Sequence, residues 1–367
     1  MGTFKCSFLL LYMFACFALF VWADEANHGF FPSPGGPCAL DFALSRRMDN
    51  HRPGITIFDD PVYGRVEIST RLMTVVDTPE FQALRRIKQL GTCHHIFPGA
   101  VHTRFEHSLG VCHLANRFMQ FLRRRRPELG ITAEHIETVQ LALLTHDWGH
   151  SAYSHLFDQD LAVDFVPVHL REHEIRSVEI LRHVARAYVL PFTERQIVMA
   201  GRMILGQWNM TSIYATPLWM YQIVHDPFHG VDLDKLDYLM RDTIHLGLPL
   251  NLIPDMCEVM HHMTALPAIT ATTPSAGLGL HHDASSREKL FRYRAHLFRT
   301  VYRHPIVVQL DHVTTYQLRA VAIYQGWSNW FRNDTAAWRL LIDDDSLKLY
   351  STLPSEFLRH YALSVQG

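Results

Sequence analysis

An apolar run, Val139 to Leu144, ends in Thr145-His146-Asp147-Trp148-Gly149-His150, and no other stretch limits the fold so strongly. Two imidazoles and a carboxylate follow directly on a buried segment, where polar groups are costly unless they find partners. A fold for this chain must bring partners to that spot. Taken alone, a His-Asp pair reads most simply as a helix-end hydrogen bond. Here His155 follows closely, and 25 histidines in all, many in His-His or His-Asp neighbourhoods, give a weak pointer to metal.

The apolar spacing around this run is helical. Asp77 or Thr78 can cap a helix, Pro79 suits a first turn, and Phe81, Leu84, Ile87 and Leu90 predict one helix up to Gly91. Phe105 to Leu122 carries Leu109, Cys112, Ala115, Met119 and Leu122 on one side. Arg123 to Arg126, closed by Pro127, then reads as a solvated helix end whose charge offsets the helix dipole, with a phosphate-contact patch as the lesser reading. Thr132 and the acidic residues after it open the helix that ends at His146-Asp147. More helices are expected at Glu174–Ala187, Glu194–Ile204, Leu218–His225, Leu233–Arg241, Arg287–Gln309 (in spite of Pro305) and His312–Phe331. Strands are expected at Ile57-Phe58 and Val62–Ile68, with a candidate β segment in Leu340–Tyr350, and Thr264–Ser286 reads as a loop. The fold class is therefore mainly α, with small β elements at its N-terminal edge.

The 367 residues are 48% apolar and 19% charged, a globular composition, and nothing in the net charge of −2 supports single-stranded nucleic acid, which stays open as a partner. Lys5 and the apolar run Phe8–Trp22 resemble a signal peptide or leader over residues 1–23. A flexible Gly- and Pro-rich tail is expected over 24–54, a catalytic domain over 55–305, and a truncated helical or mixed region over 306–367. Beyond the leader, Cys38, Cys93, Cys112 and Cys257 show no CxxC spacing, which suits an intracellular protein, whereas the leader and the sequons at Asn209 and Asn333 suit a secreted one.

Four ligands would hold a catalytic metal ion or anchor a pair. The candidates are His107, His146, Asp147 and an Asp in Val231-Asp232-Leu233-Asp234-Lys235-Leu236-Asp237-Tyr238, each on a predicted helix or at its edge. The order His107, His146-Asp147, Asp234 resembles that of the HD-domain metal-dependent phosphohydrolases. Residues 58–89, Ile96-Phe97-Pro98-Gly99-Ala100, Arg104 to Val111, Asp147 to Asp158 and Asp232 to Gly247 resemble one branch of them. That branch is the vertebrate sterile-alpha-motif and HD-domain deoxynucleoside triphosphate (dNTP) triphosphohydrolases. The likeness is strong over Ile55–Gly247 and thinner from Arg287 onward.

The resemblance implies an HD-domain helical core and a set of roles. His107, His146, Asp147 and Asp234 match metal ligands, for Fe, Mn or Zn, with Mg in a mixed pair. His150, His155 and His173 match active-site histidines, with Asp158 placed to orient His155. Arg104, Lys235, Arg294 and Tyr302 match residues that grip the triphosphate. Gln89, Leu90, Tyr238 and Asp242 match the sugar pocket, where Tyr238 crowds the 2′ position. The implied reaction is attack of hydroxide on the α-phosphorus, with His155 protonating the 5′-oxygen, a contribution of roughly 10²–10⁴-fold. Products are a deoxynucleoside and inorganic triphosphate.

The resemblance also implies a dGTP or GTP activator and a homo-oligomer. Asp77, Gln82 and Arg85 match part of the guanine-reading set, but Thr56 stands where the family has Lys and Asp59 where it has Asn. Asn251–Ser286 lacks the basic residues that would hold activator phosphates, and the chain stops at Gly367, before the family's C-terminal lobe. Phe298, Arg303 and Pro305 replace other family residues. The expectation is catalytic chemistry kept in outline, nucleotide-driven assembly in doubt, and activity that is low or confined to another oligomer. Two further readings compete: an HD phosphohydrolase acting on another nucleotide, and a catalytically silent paralogue that binds nucleic acid or a partner protein. The family works in nucleus and cytoplasm, whereas the leader points to the secretory pathway; a mis-joined first exon or a relocated paralogue would reconcile them.

Overall fold

Ile55–Asp60 (β1) and Gly64–Ser69 (β2) form an antiparallel hairpin that pairs Ile55 with Ser69 and Asp60 with Gly64. Its turn is built by Asp60, whose Oδ1 accepts from the backbone N of Val62 at 2.8 Å and of Tyr63 at 3.0 Å. On β2 the fully buried Val66 and Ile68 alternate with half-buried Arg65 and Glu67, the period-2 pattern that the sequence predicts. The computed structural model describes residues 54–207, 217–249, 256–266, 277–280, 284–329 and 349–365. The leader, the tail up to Pro53, Asn209, Asn333, and all but the end of Leu340–Tyr350 lie outside the described residues; Leu349 and Tyr350 themselves are helical.

Ser69 caps Thr70–Val76 (α1), and Thr78 caps the single turn Pro79–Gln82 (α2). The helix expected to reach Gly91 stops there. Ala83–Arg86 tightens to a 3₁₀ turn, and Ile87 becomes extended. The reason is tertiary: the backbone N of Arg104 donates to Ile87 O at 2.9 Å, and Gln89 N donates to His102 O at 3.0 Å. Pairing with 102–104 wins over the helical spacing of Phe81, Leu84, Ile87 and Leu90, and it lays Gln89 and Leu90 along a cleft.

Arg104–Arg125 (α3) and Ala133–Thr145 (α4) form the centre of the molecule. Val111, Leu114, Phe118, Leu141, Leu143 and Leu144 are completely buried between these helices and their neighbours. Each such side chain contributes roughly 1.5–3 kcal/mol. Thr132 caps α4 through a reciprocal box with His135. Arg123, Arg124 and Arg125 are exposed at the end of α3, with Arg125 Nη1 2.9 Å from His261 Nε2. After the short Ala162–Phe165 (α5), His173–Ala187 (α6) packs on Glu194–Ile204 (α7), which packs on α4. Leu218–Val224 (α8) adjoins α4 and α7, and Leu233–His245 (α9) lies on α3.

Met256–His262 (α10) leads into Met263–Leu266 (β3), which pairs antiparallel with Gly277–Leu280 (β4). Part of the expected loop Thr264–Ser286 is thus a small β ladder. Ala284–Leu297 (α11) continues into a π turn at Phe298–Tyr302. No helix runs through Pro305. The chain breaks at Arg303-His304, and Pro305 opens a new helix, Pro305–Gln325 (α12), because a residue without N–H costs nothing at a first-turn position. Ser355–Val365 (α13) closes the described chain. Among the described residues, no helix is long and apolar enough to cross a membrane.

Candidate active site

Three helix ends converge below one cleft. His107 lies in the first turn of α3, His146 caps the C-terminus of α4 with Asp147 next to it, and Asp234 lies in the first turn of α9. His146 donates from Nδ1 to Leu143 O at 2.7 Å, which leaves Nε2 free to face the group. His107 Nε2 is 3.0 Å from Asp234 Oδ1, 3.3 Å from His146 Nε2 and 3.4 Å from Asp147 Oδ2. His146 Nε2 is 3.4 Å from both Asp234 Oδ1 and Asp147 Oδ1. Bonds of about 2.1 Å to one ion would space neighbouring donors by about 3.0 Å at right angles and about 3.4 Å at tetrahedral angles. The donor set therefore fits a divalent cation. Its electrostatics agree: burial works against charge on His107, yet Asp234 and Asp237 outweigh it and raise its pKa to about 10, so the position favours positive charge.

Behind the ligands runs a buried chain that the motif reading missed. His107 Nδ1 lies 2.7 Å from Asp237 Oδ2. Asp237 also accepts from Arg241 Nε at 2.9 Å, Arg241 Nη2 at 3.1 Å and Tyr63 Oη at 2.8 Å. Arg241 Nη1 continues to Asp60 Oδ2 at 2.7 Å, in the β1–β2 turn. Burial alone would raise the Asp237 pKa, but Arg241 and His107 hold its carboxyl well below the usual range. Gly110 makes room for the pair: a Cβ there would stand 2.0 Å from Arg241 Nη2. The one sequence signal was the i,i+4 spacing of Asp237 and Arg241; Asp60 and Tyr63 are over 170 residues away, and nothing local points to them.

A second group adjoins the first through Asp147. His150 and His173 stack at 3.9 Å and 19°. Their Nδ1 atoms lie 3.1 and 3.2 Å from Asp158 Oδ2, and their Nε2 atoms face Asp147 Oδ1 at 3.5 and 4.0 Å. Asp158 was expected to orient His155, but His155 Nδ1 is 3.9 Å from it, so Asp158 serves His150 and His173 first. Its other oxygen pairs with Arg176. His155 instead opens into the cleft, with 58% of its side chain accessible. Enclosure by the cleft walls, then the fields of His150, Arg104 and His173, push its pKa well below the ordinary imidazole value. Two non-glycine residues with positive φ, Tyr153 at 62° and Ser154 at 56°, make the turn that separates the directions of His150 and His155. Gly149 allows α6 to approach, since a Cβ would stand 2.0 Å from His173 O.

The cleft has a volume of about 540 Å³, within the usual range for small-molecule sites. Gln89, Leu90, Arg104, His146, Asp147, His155, His173, Asp234, Lys235, Tyr238, Asp242, Arg294 and Tyr302 all line it. Arg104 is only 3% exposed and is held by Asp147 Oδ2 at 2.5 Å and Ser154 Oγ at 3.0 Å. Lys235 Nζ reaches Asp232 Oδ2 at 2.6 Å. Within the cleft Arg294 Nε donates to Tyr238 Oη at 2.8 Å, and Tyr302 Oη donates to Asp242 Oδ2 at 2.6 Å. Gln89 Oε1 is buried and accepts no hydrogen bond. Asp77, Gln82 and Arg85 are not part of the cleft. Gln82 accepts from Arg85 Nε at 2.8 Å, and Arg85 stacks 3.5 Å over the Phe105 ring.

Comparison with known proteins agrees with this geometry. The HD domain family model matches residues 104–208. The chain is 38% identical over 212 residues to mouse "Deoxynucleoside triphosphate triphosphohydrolase SAMHD1", a match covering 53% of this chain and 32% of that protein. With the human protein of that name it shares 32% over 303 residues, covering 74% and 45% of the two chains. With the Dictyostelium discoideum homologue it shares 31% over 249 residues, covering 61% and 47%. The chain thus spans between about a third and a half of the length of these relatives. It carries an HD domain and, over that domain and its flanks, resembles the HD-domain deoxynucleoside triphosphate triphosphohydrolases.

Proposed function

We propose that this chain hydrolyses dNTPs to deoxynucleoside and inorganic triphosphate, with a divalent metal. The observation that carries this reading is one cleft lined both by His146, Asp147 and Asp234 of the donor set and by Gln89, Tyr238 and Asp242, groups suited to a deoxyribose. The SAMHD1 relatives, named as dNTP triphosphohydrolases, support it. A divalent ion held by His107, His146, Asp147 and Asp234 would supply Lewis acidity, ionising water near neutral pH and neutralising phosphate charge.

The chain's own groups do the rest. Arg104 and Lys235 lend positive charge to the phosphate oxygens as charge gathers there. Water loses a proton to bulk solvent as its oxygen bonds to the α-phosphorus, the bond to the 5′-oxygen breaks, and His155, the cleft-facing imidazole, gives that oxygen a proton. Substrate phosphates beside His155 would raise its pKa and keep that proton in place. Asp242 and Gln89 hold the 3′-hydroxyl, while Tyr238, fixed by Arg294, leaves no room for a 2′-hydroxyl. Work on the nuclear or cytoplasmic dNTP pool belongs to the same proposal.

The test is a panel of dNTPs, ribonucleotides and cyclic nucleotides with metal-loaded protein, following triphosphate, phosphate and nucleoside. Triphosphate from dNTPs alone is expected. Turnover of cyclic nucleotides or release of phosphate would favour another HD phosphohydrolase, and no turnover at all would favour a binding protein.

A further inference from the structure

We propose that His102 is a positioning residue that fixes Asp242 as a pure hydrogen-bond acceptor, so that the cleft demands a hydroxyl donor from its ligand's sugar. This rests on reading the cleft as a nucleotide site, but it concerns a residue outside every role assigned above. His102 sits just before α3 and is 1% exposed. Its Nε2 is 2.7 Å from Asp242 Oδ1, and its Nδ1 is buried with no hydrogen-bond partner.

Those two facts fix the tautomer. A proton on Nδ1 would be an unsatisfied buried N–H, and the bare Nε2 would then face a carboxylate lone pair. The proton therefore belongs on Nε2 and is donated to Asp242. His245, stacked on the ring at 4.4 Å and 23°, holds its plane. Tyr302 Oη donates to the other carboxylate oxygen at 2.6 Å. Both oxygens then have a protein donor, and the lone pairs left to the cleft favour a ligand that brings a donor of its own.

Gln89 meets the same need through the same residue. Its backbone N donates to His102 O at 3.0 Å, and its buried side-chain Oε1 has no hydrogen-bond donor among the described residues. His102 thus holds both sugar-facing acceptors, one by its ring and one by its carbonyl. A ligand with a free 3′-hydroxyl fits this arrangement. A 2′,3′-dideoxynucleotide brings no donor to Gln89 Oε1 or to the spare lone pairs of Asp242.

The experiment measures binding of a non-hydrolysable dGTP analogue and its 2′,3′-dideoxy counterpart to the full, metal-loaded chain by calorimetry. Wild type should prefer the 3′-hydroxyl form by roughly 10- to 100-fold, the range of one hydrogen bond to a charged group. His102→Phe keeps ring and burial but lacks the donor, and should bring the ratio to within about threefold by the same reasoning. His102→Gln, whose amide N–H can stand where Nε2 stood, should keep most of the preference. Independently of any variant, ¹⁵N shifts of His102 should report the Nε2–H tautomer. No preference in wild type, full preference in His102→Phe, or an Nδ1–H tautomer would each overturn the proposal. Selective binding without triphosphate release would sink the proposed reaction and leave this inference standing; triphosphate release with an unchanged ratio in His102→Phe would do the reverse.

Discussion

Replacing Asp237 by Asn should weaken metal binding although Asp237 touches no metal. The carboxylate accepts from His107 Nδ1 at 2.7 Å and from Arg241 and Tyr63 at 2.8–3.1 Å. Asn keeps the shape but removes the charge, and its amide N–H must face a donor in at least one of those places. His107 then loses the group that fixes its ring and makes Nε2 basic. Loss of such an outer carboxylate costs roughly 10–100-fold in metal affinity, or about 1.4–2.7 kcal/mol. Arg241 keeps Asp60 at 2.7 Å, so the fold should lose less than the roughly 3–5 kcal/mol of a fully orphaned buried charge. Competition with a calibrated chelator, followed by elemental analysis, measures the affinity, and circular dichroism melting measures the fold. A folded Asp237→Asn protein that binds metal within twofold of wild type would refute the role assigned to this chain of contacts.

Three more outcomes follow from the same geometry. His155→Ala should lower turnover by roughly 10²–10⁴-fold while metal content stays at the wild-type level; loss of metal in that variant would move His155 among the ligands. Tyr238→Ala should open the 2′ side of the cleft and lower the dNTP-over-ribonucleotide preference in kcat/KM by about tenfold or more; an unchanged ratio would free Tyr238 of that role. Stability should fall with acid through His113, whose Nδ1 accepts from Glu67 N at 3.1 Å and whose pKa burial, then Arg117, pushes down from 6.5 to about 4. With the folded pKa below the unfolded one, the unfolded chain binds more protons between those values. This contribution is complete above pH 6.5 and is lost as pH falls towards 4, by 2.5 units or roughly 3 kcal/mol. Urea melts at pH 7 and 5 should show a smaller drop for His113→Gln than for wild type, and equal drops would contradict the assignment.

What the sequence made legible was whatever repeats at short range. Glu194–Ile204 is a helix to the residue, and α3, α4 and α9 keep their apolar faces and carry the expected ligands at their ends. His107, His146 and Asp234 converge as their order suggested, because each stands at a rigid helix end. Misreadings arose where distant backbone competes with local pattern. Ile87 and Gln89 give up helical hydrogen bonds to pair with Arg104 and His102, and that exchange is what turns Gln89 into the cleft. Pro305 looked like a tolerated interruption and is a helix start. The supports for the site, Asp60 with Arg241 and His102 with Asp242, join residues 181 and 140 positions apart. A single sequence offers no periodicity that would link such pairs.

The proposed reaction stands or falls on which bond breaks. Metal-loaded protein should be given dGTP in water enriched in ¹⁸O, and the products separated and weighed by mass spectrometry. Deoxyguanosine and triphosphate in equal amounts, with the label in triphosphate alone, is the result expected from attack at the α-phosphorus and protonation of the 5′-oxygen. Label in the nucleoside, or release of phosphate or pyrophosphate in place of triphosphate, would contradict it.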